Sequence, residues 1–171
     1  MRPPAIPIRP ETPNDAAAID AVTIAAFEKA PYSDHREQFI VRALRASGSL
    51  TLSLVVVLDT EIVGHLALSP VSLSDGASRW FGLGPLSVLP AHQNRGIGSA
   101  LVREALRRLK DSGAAGCVVL GEPAYYGRFG FRAGDELILP HFPAKYFQAI
   151  AFGADAPRGV VTYHPAFSAS E

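Results

Sequence analysis

Residues 86–101 read Leu-Ser-Val-Leu-Pro-Ala-His-Gln-Asn-Arg-Gly-Ile-Gly-Ser-Ala-Leu and run from strand-forming chain through a polar loop into an apolar-periodic segment. That order suits an anion. A helix start leaves about four N–H groups unpaired and carries roughly half a positive charge, so an anion there gains hydrogen bonds and dipole stabilisation together. Gly96 and Gly98 have no side chains to block its approach, and Arg95 adds a formal charge at the mouth. Two phosphate motifs are excluded. The Walker pattern lacks its Gly-Lys-Ser/Thr, and Leu101 stands where the dinucleotide fingerprint needs a third glycine. On glycine spacing alone the loop reads equally as a turn that only starts a helix.

Other chemically capable residues are fewer. Tyr125, Tyr126, Phe129 and Phe131 follow Glu122 closely, and by residue type alone they form an aromatic packing cluster. His35, His65, His92, His141 and His164 show no short ligand spacing, so no metal site is expected. His65, alone on a strand, reads as structural. Cys117 is the one cysteine and lies in an apolar run, which excludes an intrachain disulfide and a multi-cysteine metal site and predicts a core position.

Positioning the loop takes a strand before it and a helix after it. Residues 96–112 carry Ile97, Leu101, Ala105 and Leu109 on one side and Arg103, Glu104, Arg107 and Lys110 on the other, with Gly113 to stop the helix. Residues 52–58, 62–73 and 80–89 are rich in β-branched residues and leucine, with turns at Asp59-Thr60-Glu61 and Asp75-Gly76, which predicts an antiparallel meander. Gly82, Gly84 and Pro85 interrupt its last strand and predict a bulge or splay that leaves backbone groups free. Residues 116–120 have the apolar pattern of a parallel strand buried on both faces, reached by a right-handed crossover. A short strand is expected at 6–9, a helix at 16–29 opened by Pro13-Asn14-Asp15, and a second at 33–45 capped by Ser33 or Asp34. Strands near 146–152 and 159–163 end the chain, and no repeat, low-complexity segment or linker divides it.

A chain of 171 residues can bury a real core, and 48% hydrophobic with 19% charged residues is an ordinary globular composition. Sixteen basic residues balance sixteen acidic ones, so no global field draws the chain to nucleic acid or an anionic membrane, and a polyanionic ligand must be held locally. The first fifteen residues hold five prolines and no apolar core of a secretory leader, and no run approaches a membrane span, so the expected location is cytoplasmic.

The motif carried by Leu86, Val88, Pro90, Gln93, Gly96, Gly98, Ala100 and Leu101 is similar to the acetyl-CoA-binding motif of the GNAT superfamily of N-acetyltransferases. Tyr-Tyr-Gly-Arg-Phe-Gly-Phe at 125–131 resembles that family's later Tyr-x-x-x-Gly-Phe motif, and with the Gly-Pro-Leu-Ser-Val strand it looks most like the bacterial YhbS-like branch. The resemblance implies one GNAT-like α/β (α+β) domain over 1–171, with a mixed central sheet, an antiparallel N-terminal meander and a β-α-β acyl-CoA-binding core. It implies that Asn94, Arg95, Gly96, Ile97, Gly98 and Ser99 wrap the cofactor pyrophosphate with backbone amides. Leu86, Ser87 and Val88 would offer backbone partners to the pantetheine arm, Gln93 would shape the loop entrance, and the Val88 N–H would meet the thioester oxygen.

The implied reaction is direct acetyl transfer from acetyl-CoA, without a metal, to a primary amine of a small molecule, peptide or protein. Tyr126, four residues before Gly130, takes the family's general-acid position, with Tyr125 as the adjacent rival. Many relatives place a glutamate on the strand before the loop, yet 79–89 contains no acidic residue, and Glu122 is the substitute candidate for a base. A solvent-facing turn acid is its other reading. Phe27, Tyr32 and Phe147 read as an acceptor wall or as core. The alternative function is a CoA-binding sensor or interaction module without turnover; acetylation of aminoacyl-tRNA fits the balanced charge less well. A homodimer is the commonest soluble oligomer.

Overall fold

The computed structural model describes residues 5–153 and 157–171. In chain order the elements are β1 (Ile8–Pro10), α1 (Ala16–Phe27), α2 (Glu37–Ala46), β2 (Leu52–Leu58), β3 (Glu61–Leu73), β4 (Trp80–Val88), α3 (Ile97–Asp111), β5 (Gly116–Leu120) and α4 (Pro123–Tyr126). β6 (Arg132–Ala133), β7 (Leu137–Ile138), β8 (Phe147–Ala151) and β9 (Gly159–Tyr163) complete them. β1 to β4 pair antiparallel in sequence order, and for β2 to β4 the apolar runs and turns predict it. β5 then joins β4 in parallel, β8 joins β5 antiparallel, and β6 forms the edge. The far end of β3 pairs with β9, which also takes up β7 in parallel. The sheet is mixed, as expected.

Successive side chains on a strand face opposite ways, and this sorts the helices. Leu54, Val56, Leu66 and Leu68 pack with Leu101, Val102, Ala105 and Leu109 of α3, whereas Val55 packs with Ile19 of α1 and Val41 of α2. Two helices therefore cover one face and α3 the other. β5 is less enclosed than its apolar composition suggests, since Leu120 at its end is exposed and one of its neighbours is antiparallel.

Helix boundaries differ from expectation where side chains compete with the backbone. α1 starts as expected after Asp15, whose carboxylate accepts the Thr12 N–H at 2.7 Å and pairs with Arg9 at 2.6 Å, but stops at Phe27. α2 starts only at Glu37, because Ser33 accepts the His35 N–H at 2.9 Å and Asp34 accepts from Arg36, holding 33–36 in a turn. Gly113, with φ +86°, follows the end of α3.

The interruption in β4 opens the sheet. Pairing with β5 covers only Trp80 to Leu83, and β4 then carries one residue more than β3 between the pairs Leu68 with Leu83 and Leu66 with Leu86. Gly84 supplies the positive φ of 138° at this bulge. Beyond it Leu86, Ser87 and Val88 pair with β3 alone, so one edge of β4 is unzipped.

Candidate active site

The unzipped edge points its backbone into a cleft. Leu89 donates its N–H to Val63 O of β3 at 2.9 Å, and in an antiparallel ladder alternate residues face opposite ways, so the Val88 N–H points away from β3. The Val88 carbonyl shares that direction and accepts from Gln93 Nε2 at 3.1 Å, a bond that ties the loop entrance back to the strand. The cleft, about 560 Å³, is lined by Leu86, Val88, the loop, Tyr125 and Arg128, with Phe27 of α1 on its far wall.

The loop presents a run of unpaired amides. Among the described residues, none of the N–H groups of Asn94, Arg95, Gly96, Ile97, Gly98 and Ser99 has a hydrogen-bond acceptor, and the first paired amide is Ala100, which donates to Gly96 O at 3.0 Å. Positive φ at Asn94 (64°) and Gly96 (81°) alternates with ordinary backbone, the conformation that curls successive amides into a concave nest. Ile97 anchors the nest, buried in the core below it. A Cβ on Gly98 would come within 2.7 Å of the Tyr125 hydroxyl, so the glycine keeps the floor of the cleft open. No aspartate or glutamate is in the lining. A pyrophosphate on the amides and an extended amide-bearing arm on the β4 edge both fit these groups.

The expected site residues do not all meet. Leu86, Val88, Gln93, Asn94, Gly96, Ile97, Gly98 and Ser99 come together in the cleft, while Ser87 turns its side chain into the opposite face of the sheet, where it is buried. Arg95 is exposed and lies outside the lining; the guanidinium at the mouth belongs to Arg128, whose Nη2 donates to Ser99 Oγ at 3.1 Å. Tyr125 lines the cleft and Tyr126 packs inward, its ring against Gly121 and 5.9 Å from that of Phe131. Burial pushes the Tyr126 phenol well above its ordinary value, with Tyr125 and Cys117 adding to the effect. Glu122 is exposed, caps α4 by accepting the Ala124 N–H at 3.5 Å, and does not reach the cleft. It behaves as the turn acid. The three aromatic candidates divide likewise, with Phe27 in the cleft, Tyr32 fully exposed and Phe147 in the core.

Sequence reasoning missed a polar patch on the sheet face away from α3. Among the described residues, His65 Nδ1, Ser69 Oγ, Ser87 Oγ and Tyr163 Oη are buried without partners, and cross-strand pairing sets His65 beside Ser87 and Ser69 beside Gly82. The Tyr163 ring fills the space above Gly82, where a Cβ would meet it at 2.5 Å. His65 Nε2 lies 2.8 Å from Ser53 Oγ, and burial lowers its pKa to about 4. Only the two glycines of the interrupted strand hinted that something large would lie over it. Among the described residues no group of three His, Cys, Asp or Glu side chains is placed to hold a metal, and no helix is long and apolar enough to cross a membrane.

A family model described as the acetyltransferase (GNAT) family matches residues 18–131. The chain is 38% identical over 168 residues to the uncharacterized N-acetyltransferase YhbS of Escherichia coli K12, covering 94% of this chain and 98% of that one. The crystal structure of a GNAT family acetyltransferase from Brucella melitensis in complex with acetyl-CoA is 50% identical, with a TM-score of 0.85 over 95% of this chain and 98% of that one. Escherichia coli YhbS in complex with CoA superimposes with a TM-score of 0.86 at 35% identity, over 98% of this chain and 96% of that one. The strand–nest–helix site, the unzipped β4 and these matches agree, and the chain belongs to the GNAT family of acetyltransferases.

Proposed function

We propose that this acetyltransferase takes acetyl-CoA as its donor and transfers the acetyl group directly to a primary amine of a small molecule, peptide or protein. The observation that carries the reading is the run of unpaired amides at 94–99, opening on the same cleft as the free edge of β4. Relatives crystallised with acetyl-CoA and with CoA support it. Acetyl-CoA, when bound, supplies an activated acyl thioester. The amides of 94–99 bind its pyrophosphate, and the Leu86 and Val88 edge orients its amide arm. The Val88 N–H donates to the carbonyl oxygen as charge develops there, an effect worth about 3 kcal/mol for a well-placed donor. Tyr126, four residues before Gly130, is the proposed proton donor to the departing thiolate, and its burial keeps that phenol protonated well above neutral pH; Tyr125, which lines the cleft, is the rival donor.

No carboxylate lines the cleft, so no acidic side chain is placed there to take the amine's proton. The same absence favours a second reading, a CoA-binding module without turnover. Thermal unfolding with acetyl-CoA, CoA, ATP and NADH tests the cleft first. Ligand at a hundred times its Kd adds about 2.7 kcal/mol of stability, or roughly 5–10 °C for a domain of this size. The expected result is a shift with both CoA forms and none with ATP or NADH; no shift at saturation sinks the reading. Thiol release across a panel of primary amines then separates the enzyme from the silent module.

A further inference from the structure

An amine gives up a proton as it attacks a thioester, and the cleft lining holds no carboxylate to take it. The sheet face away from α3 carries polar side chains in a line across its strands. Ser87 on β4 stands directly opposite His65 on β3, and such a pair shares a face with Cβ atoms about 5 Å apart. His65 Nε2 lies 2.8 Å from Ser53 Oγ on β2. Just past β1, Glu11 donates its N–H to Ser53 O at 2.9 Å, and its carboxylate accepts from Arg45 Nε at 2.9 Å and Nη2 at 3.2 Å. Val55, beside His65 on β2, packs with Ile19 and Val41, so the line runs under an apolar cover from α1 and α2.

The line has a direction. Burial works against the charge of Glu11, but hydrogen bonds from Arg45 and Ser53 outweigh it and hold the carboxyl below its ordinary value. With the Ser53 hydroxyl donating to Glu11, its oxygen accepts from His65 Nε2–H, which leaves Nδ1 as the bare nitrogen. Burial lowers the His65 pKa to about 4, with Glu11 opposing and Arg45 assisting, so at neutral pH that nitrogen keeps its lone pair. Among the described residues Nδ1 and Ser87 Oγ are both buried without partners, and one water between them would satisfy both. An orphaned acceptor costs stability, and packing gains nothing from it. At the inner end Ser87 is joined directly to the Val88 amide, on the stretch of β4 that has lost its β5 partner. At the outer end Glu11, Arg45 and Ser53 line a surface cleft of about 330 Å³.

We propose that Ser87, His65, Ser53 and Glu11 relay the amine's proton from the reaction centre to the protein surface, an inference that rests on the acetyl-transfer reading. As the N–C bond forms, the amine nitrogen passes a proton to Ser87 Oγ, and the Ser87 proton moves through the water to His65 Nδ1. His65 Nε2 gives its proton to Ser53 Oγ, and the Ser53 proton goes to the Glu11 carboxylate and on to solvent. The C–S bond then breaks and the thiolate takes its proton from the tyrosine donor. After the product leaves, the reverse shift, out through the emptied cleft, restores the starting tautomer. Thiol release at saturating acetyl-CoA and amine, followed from about pH 7.5 to about pH 9, tests the relay in His65→Gln, Ser53→Ala and Glu11→Gln. Dividing each variant's kcat by that of wild type cancels the ionisation of the amine itself. Each ratio is expected to be about a tenth or less at the lower pH and to climb toward one at the higher, where hydroxide takes the proton instead, with the Kd for CoA within about twofold of wild type. A packing defect would lower kcat by one factor at every pH or weaken CoA binding as well, and either result overturns the proposal. Wild-type kcat in both Ser53→Ala and Glu11→Gln overturns it too. If wild type binds acetyl-CoA and turns over no amine, the transfer reading itself fails and this inference falls with it.

Discussion

Tyr126 turns its ring onto Gly121 and Phe131 while Tyr125, one residue earlier, reaches over Gly98 under the guanidinium of Arg128. Neighbouring phenols with such different surroundings should fail differently when their hydroxyls are removed. Tyr126→Phe keeps the packing and removes the proton donor, so kcat should fall about a hundredfold with CoA affinity within about twofold of wild type. Tyr125→Phe should leave kcat nearly intact and change the Kd for CoA instead. Thiol release with the amine found by screening, alongside calorimetry with CoA, measures both quantities. If Tyr125→Phe is the variant that loses turnover, the two roles are exchanged.

The start of α3 and the bulge of β4 make the site as elements. Gly96 meets a backbone requirement, a φ of 81° with no atom within 4 Å of where a Cβ would stand. Gly98 meets a space requirement, since its missing side chain would lie between Val88 and the Tyr125 hydroxyl. Gly98→Val has ordinary helical dihedrals available and a helix propensity no worse than glycine's, and its Cβ approaches only the far end of the Tyr125 side chain, at 2.7 Å, so the fold should tolerate it with a shift of that hydroxyl. Its side chain would crowd the proposed cofactor cleft between Val88 and Tyr125, and we expect at least about a tenfold loss of CoA affinity, or about 1.4 kcal/mol, with Tm within a few degrees of wild type. Calorimetry and thermal unfolding check the pair of values. Unchanged affinity would show that the ligand does not approach the first turn of α3.

For the whole molecule the buried His65 couples stability to pH. Burial is the main cause of its fall to about 4, Arg45 adds to it and Glu11 opposes it, against an ordinary value of 6.5. The unfolded chain therefore takes up this proton first as pH falls. Stabilisation is complete above pH 6.5 and is lost on the way down, by about 3 kcal/mol at pH 4, a large share of a typical domain's stability. Asp15 and Glu104, held low by hydrogen bonds from Arg9 and from Arg107 and Arg108, stay ionised through that window. Urea unfolding at pH 7.5 and 4.5 should show a stability difference roughly 2–3 kcal/mol smaller in His65→Gln than in wild type. A difference equal in the two proteins would mean that His65 titrates normally in the folded state.

The glycine turn at the start of α3, the antiparallel meander and the break at Gly84 and Pro85 were legible in the sequence because each depends on residues a few positions apart, whereas the reading of that turn as a phosphate site came from the family resemblance. A two-residue period, a turn pair and a glycine at a helix start act locally, and the fold had only to keep them. What the tertiary structure decided is everything that depends on distant segments meeting. Arg128 reaches Ser99, Tyr163 covers Gly82, and His65 finds Ser53 only because the sheet order sets β9 and β2 against β3 and brings α4 back over α3. β6 and β7, two residues each, are too short to show a period. Glu122 illustrates the limit in the other direction. Its residue type suits a base, yet its position at the head of α4 turns the carboxylate onto the Ala124 amide, and a side chain spent on its own helix end is not available to the cleft.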